Sequence, residues 1–264
     1  MNHVKRQITA GLTLAVATAL AGCASGGTAG RAAAPPVTPR FEAHAVYTRL
    51  IEVTGGRAAL ERYASTRAVG EFSMPAQGLR GDLEVFAAAP NKLFIRVNIP
   101  GFGMVRNGFD GEVGWSINPA VGPMVLEGTM LNQMRQQADF LGPLNMEAYI
   151  DSARVVEETE FAGKMCQKVR LVTKWGEEYF EFYDVATGLP VGVIRTQESP
   201  MGGVEATTVL SDFEDFGGIL IPTTTVLTTM GVDQIITVTA VEFDTVDPSV
   251  FGLPKEIQAL VKKE

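Results

Sequence analysis

From residue 66 onward the chain alternates between apolar and polar or small positions. Leu79, Gly81, Leu83, Val85 and Ala87 take every second place, and Leu93, Ile95, Val97 and Ile99 do so between Phe94, Arg96 and Asn98. A period of two marks strands with one buried face. Turn signals stand at hairpin spacing: Pro90-Asn91, Gly101-Phe102-Gly103 and Asp110-Gly111. The second half repeats this habit and predicts strands near 153–162, 165–174, 177–184, 190–198, 203–212, 219–230 and 233–246. Ala162-Gly163, Trp175-Gly176, Thr187-Gly188, Met201-Gly202-Gly203 and Gly231 separate them. Strands in succession with short turns make an antiparallel meander. No glycine-rich strand-to-helix unit occurs, which argues against a dinucleotide-binding fold. No repeat of fixed period divides the chain.

Three segments follow a helical period instead. Residues 41–63 carry Val46, Leu50 and Val53 on one face, with Gly55-Gly56 as an interruption. Residues 129–141 place Met130, Met134 and Ala138 on one side, with Leu131 and Leu141 near it; Gly142-Pro143 stops the helix. Residues 254–263 predict a short terminal helix. Helices in the middle of a meander must cover a sheet face. Leu93-Phe94-Ile95, Ile219-Leu220-Ile221 and Ile235-Ile236 are apolar on both sides, the pattern of a sheet covered twice or curved around a cavity.

Composition sharpens this picture. The 264 residues are 46% hydrophobic and 20% charged, enough apolar matter for a sizeable core. The formal charge of −8 and the lack of clustered cations exclude a nucleic-acid groove. The amino terminus is different in kind. Lys5 and Arg6 precede the apolar run Ile8 to Leu20, which falls short of the roughly 20 residues that span a bilayer core. The run ends in Leu20-Ala21-Gly22-Cys23, the form of a bacterial lipobox, in which small residues fit a peptidase cleft and the thiol carries lipid. Residues 1–22 therefore read as a lipoprotein signal peptide and Cys23 as the lipidation site. Residues 23–40, rich in Gly and Ala and then in Ala and Pro, read as a tether. Residues 41–264 read as one folded domain. Resemblance to bacterial lipoproteins implies that Ala24, not being Asp, directs the chain to the periplasmic side of the outer membrane.

Catalytic chemistry finds few means. His44 is the one histidine after residue 22, and zinc needs three or four convergent ligands, so no metal or other cofactor is expected. No nucleophile-elbow pattern accompanies it. Cys166, within a strand, reads as a buried structural thiol. Glu177, Glu178 and Glu181 form one acidic cluster and Asp212, Glu214 and Asp215 another; both read as solvated sheet face or turn. A non-enzymatic protein is expected.

Several ordered marks carry a family resemblance. They are Gly55-Gly56 before Ala59-Leu60, Pro90-Asn91-Lys92-Leu93 before a strand, and Asn107-Gly108-Phe109-Asp110-Gly111 leading to Gly114-Trp115. Phe182-Tyr183-Asp184 before Thr187-Gly188-Leu189-Pro190 follows, then Ser211-Asp212-Phe213 before Gly217-Gly218-Ile219 and Ile221-Pro222. Across roughly residues 45–245 the chain resembles the LolA/LolB-like superfamily of periplasmic lipid- and lipoprotein-binding domains. The resemblance implies a mainly β (α+β) fold, a curved antiparallel half-barrel of about eleven strands with helices covering the concave face. It also implies a greasy cavity for the acyl chains of lipids or lipoproteins. The candidate lining residues are Leu83, Val85, Leu93, Ile95, Trp115, Met130, Met134 and Leu141. The expected role is envelope lipid or lipoprotein transport or sorting, with attachment to the membrane through Cys23. The alternative is a structural or sensing lipoprotein that binds an envelope protein partner, for which the apolar turn Pro100-Gly101-Phe102-Gly103-Met104 would serve.

Overall fold

A computed structural model describes residues 42–199 and 202–262. The expected signal peptide, the tether and Cys23 lie outside the described residues. Two helices open the fold, α1 (His44–Val53) and α2 (Arg57–Leu60), and six strands follow: β1 (Ser65–Met74), β2 (Leu79–Ala88), β3 (Lys92–Ile99), β4 (Gly103–Phe109), β5 (Gly114–Asn118) and β6 (Gly122–Val125). Helices α3 (Gly128–Ala138) and α4 (Met146–Tyr149) interrupt the meander. It resumes as β7 (Ile150–Phe161), β8 (Lys164–Thr173), β9 (Glu178–Asp184), β10 (Pro190–Ser199), β11 (Gly202–Phe216), β12 (Ile219–Thr229) and β13 (Val232–Phe243), and α5 (Lys255–Val261) follows.

Among the described residues, thirteen strands join one antiparallel sheet in the order β6-β5-β4-β3-β2-β1-β13-β12-β11-β10-β9-β8-β7. The last strand returns beside the first, so the two halves of the meander meet at β1 and β13. This is the expected mainly β, half-barrel type of architecture, with thirteen strands where the resemblance implies about eleven. The seven strands expected in the second half are all present. The short β5 and β6, of five and four residues, are too brief to show a period in the sequence.

Alternation assigns the faces. Leu93, Ile95, Val97 and Ile99 of β3 are buried on the concave side together with Phe72, Met74, Leu83, Val105 and Phe109. Helix α3 lays Met134 and Ala138 onto this cluster, with Met130 and Leu131 partly buried against it. Helix α1 covers the other half, pressing Val46, Tyr47 and Leu50 onto Ile150, Ala153, Val169 and Leu171. Gly55 is required at its end: φ is +125°, and a Cβ there would stand 2.2 Å from the Gly218 carbonyl oxygen of the β11–β12 turn. Helices thus cover the concave face from two sides.

The convex face is charged in its centre, where Arg67 bridges Glu84 and Glu242, and Arg96 also pairs with Glu84. Helix α5 packs on β6 along this side, tied by an Arg106–Glu256 ion pair at 3.3 Å. Cys166 is fully buried there, beside Phe182 and Val191. At the free edge, β7 exposes Glu157, Glu158 and Glu160, and its pairing slips at Ile150/Ser152 and at Val155/Glu157.

Candidate functional site

Between the two helical covers the concave sheet is left open. A cavity of about 390 Å³ lies there, roofed by Gln133, Gln136 and Gln137 of α3. Its floor comes from five neighbouring strands: Tyr179 and Glu181 (β9), Val193 and Arg195 (β10), Thr208 and Leu210 (β11), Thr225 and Leu227 (β12), and Gln234 and Ile236 (β13). The register explains why these residues meet. Val193 stands opposite Glu181 and Thr208, Leu227 opposite Thr208 and Gln234, and Thr225 opposite Leu210 and Ile236, so one row of alternate positions crosses the sheet.

Two carboxylates, one buried and one half-buried, organise the polar part of this floor. Glu177 is 4% exposed. The guanidinium of Arg195 donates to its Oε1 from Nε at 2.9 Å and from Nη2 at 2.5 Å. Gln133 Nε2 donates to Oε2 at 2.9 Å and Trp175 Nε1 at 3.2 Å, while the Glu177 backbone N–H is held by Thr173 Oγ1. The Arg195 guanidinium also lies 4.6 Å from the centre of the Tyr179 ring, a cation–π contact. Deeper toward α1, Glu181 Oε2 accepts from the hydroxyls of Tyr47 at 2.9 Å and Tyr183 at 2.6 Å. Burial raises the Glu181 carboxyl above the usual glutamate range, against the lowering pull of those two hydrogen bonds and of the Arg195 charge. Burial, and then the Glu181 charge, push both tyrosine hydroxyls well above their usual range.

This corrects the expectation that Glu177 and Glu181 belong to a solvated face. Only Glu178, on the other side of the strand, is exposed; it pairs with Arg170. Asp212, Glu214 and Asp215 are solvent-exposed as expected.

The expected lining residues fall beside the cavity, not on its walls. Leu83, Leu93, Ile95 and Met134 come together in the packed cluster under α3, with Val85 and Met130 against it. Leu141 is half-buried just past the end of α3. Trp115 is on the convex face: it stands opposite Gly108, which stands opposite Phe94, and the ring would meet a Gly108 Cβ at 2.6 Å. Trp115 shares that face with Phe94 through the hairpin register, which the turn lengths set and the strand period alone does not. The residues missed are polar or β-branched ones, Gln133, Arg195, Thr208, Thr225 and Gln234, which hydrophobicity does not single out.

A second hollow, about 430 Å³, is a groove between α1 and residues 143–148, lined by His44, Tyr47, Thr48 and Ile51 on the helix side. It does not reach the sheet. Among the described residues no group of three His, Cys, Asp or Glu gathers as a metal site, and no helix is long and apolar enough to cross a membrane.

The class that this architecture defines is the open antiparallel half-barrel with helices over its concave side. Solved structures of that class are similar to the chain. One is a LolA superfamily protein from Nitrosomonas europaea, at 12% identity and a TM-score of 0.53, covering 80% of this chain and 98% of that one. Another is a DUF1329 family protein from Desulfovibrio piger, at 10% identity and a TM-score of 0.54, covering 79% and 96%. At these identities the likeness is one of fold. No protein-family model matches the chain, and no curated protein sequence does.

Proposed function

We propose that this protein is a non-enzymatic periplasmic lipoprotein, anchored to the outer membrane through Cys23, that binds the acyl chains of lipids or lipoproteins in envelope transport or sorting. The observation that carries the reading is the cavity roofed by α3 above the concave sheet. The similar fold of the Nitrosomonas LolA superfamily protein supports it, as do the lipobox and tether in the sequence.

The cavity sets the scale of binding. At about 30 Å³ per water-sized unit, it has room for roughly a dozen methylenes. Their burial at about 0.8 kcal/mol each yields on the order of 10 kcal/mol gross. Association costs of about 4–15 kcal/mol leave a micromolar or weaker affinity, which suits a protein that must load and release. The test is displacement of a fluorescent acyl probe from the full chain carrying Cys23→Ser. Saturable binding that Leu227→Trp weakens, by filling the floor, supports the reading. No saturable binding by the folded wild-type domain refutes it.

A second reading rests on one end of the sheet. There the turns after β3, β5 and β12 bring Met104, Val121 and Met230, which are 42%, 70% and 84% exposed. Such tips fit an envelope protein partner of a structural or sensing lipoprotein. Native mass spectrometry separates the two: co-purified lipid supports carriage, and an empty domain bound to an envelope protein supports the second.

A further inference from the structure

The cavity makes a polar demand that an acyl chain alone does not meet. Gln133 on the roof and Gln234 on the floor are 1% and 6% exposed, and the Oε1 of each is buried without a hydrogen-bond partner. Gln136 on the roof has a third such oxygen. For Gln133 the orientation of the amide follows from chemistry. Its neighbour Glu177, ion-paired to Arg195, can only accept, so it takes the NH₂ end and leaves the carbonyl oxygen unpaired.

The other groups reinforce this bias. Arg195 is the one cation among the cavity's residues, and both its Nε and its Nη2 point at Glu177. An anionic headgroup would therefore meet unpaired amide oxygens and have to compete with Glu177 for Arg195. A cationic headgroup could pair only with Glu181, whose Oε2 already accepts from the Tyr47 and Tyr183 hydroxyls and whose neutral form burial favours. A neutral donor meets neither obstacle.

We propose that the ligand enters with a neutral, hydroxyl-bearing headgroup of the glycerol type, whose O–H groups donate to the buried carbonyl oxygens of Gln133 and Gln234. The proposal rests on the acyl-chain reading and adds the class of lipid that the site selects. An acyl chain esterified to glycerol is taken up in preference to the same chain ending in a carboxylate or an ammonium.

The test holds the chain constant and varies the head. Monomyristoylglycerol, myristate and tetradecylammonium, each below its micellar concentration, compete for a fluorescent acyl probe on the full chain carrying Cys23→Ser. The expected result is a preference of at least tenfold for the glyceride over both ions. Gln133→Leu should reduce that preference while the probe still binds. Because Gln133 also supports Glu177, Gln234→Leu provides a second variant on the opposite wall, with the same expected loss. Equal affinities, or tighter binding of either ion, overturn the headgroup assignment and leave acyl-chain binding standing. If none of the three competes and the probe itself does not bind, both readings fall. A preference unchanged in both glutamine variants overturns the role of these two residues.

Discussion

Replacing Arg195 with Met tests whether the polar floor is truly a desolvated ion pair. The side chains of Arg195 and Glu177 are 11% and 3% exposed. Solvent screening, which makes surface pairs worth little, is therefore largely absent. Arg195→Met removes two charge-assisted hydrogen bonds and leaves a buried carboxylate with two neutral donors, Gln133 and Trp175. Stranding one partner of a buried pair costs about 3–5 kcal/mol. For a domain of this size that is a fall in Tm of roughly 6–20 °C, at about 2–4 °C per kcal/mol. The double variant Glu177→Gln/Arg195→Met separates the charge from the packing. The amide introduced by Glu177→Gln would keep a carbonyl for Gln133 and Trp175 and strand no charge, so most of the loss should return, to within about 2 kcal/mol of wild type. Urea unfolding of the full chain carrying Cys23→Ser, followed by circular dichroism and tryptophan fluorescence, measures both. A single-variant cost under about 1 kcal/mol, or a double variant no more stable than the single, would show that the pair is solvated and the reasoning wrong.

Three further outcomes are expected. Because the folded-state pKa of Glu181 is raised, its unfavourable ionisation is absent at low pH and grows as pH rises through that pKa; Glu181→Gln should therefore gain more Tm relative to wild type at pH 8 than at pH 5, and a pH-independent difference would contradict this. Gly108→Ala should cost about 1–3 kcal/mol by driving a methyl into the Trp115 ring, read as a lowered Tm, with an unchanged melt counting against the convex placement of that ring. Cys23→Ser should abolish incorporation of labelled fatty acid; continued labelling would refute the anchor.

Most of the architecture was legible in the sequence because each strand of the second half shows its period between glycine-bearing turns. The opening helix and its Gly55-Gly56 break were legible for the same local reason. The site was less so. Glu177, Tyr179, Glu181 and Tyr183 alternate with Glu178, Phe180 and Phe182, and by hydrophobicity the first set looks no more buried than the second. What buries it arrives from elsewhere in the chain: Tyr47 on α1 and Gln133 on α3. Helix α3 shows the same limit. Its Met134 and Ala138 face was readable as apolar, whereas Gln133, on an adjoining face, is buried by a carboxylate 44 residues away.

The unclosed sheet has a consequence for crowding. An open edge offers a row of unpaired backbone groups to any strand that drifts alongside. On β7 that encounter is blocked twice. Glu158 and Glu160 would set like charges against like, Glu157 being paired with Lys168, and the two slips in pairing leave no straight register for a second strand to follow. Removing those carboxylates would open that edge to strand pairing without altering a single residue of the cavity.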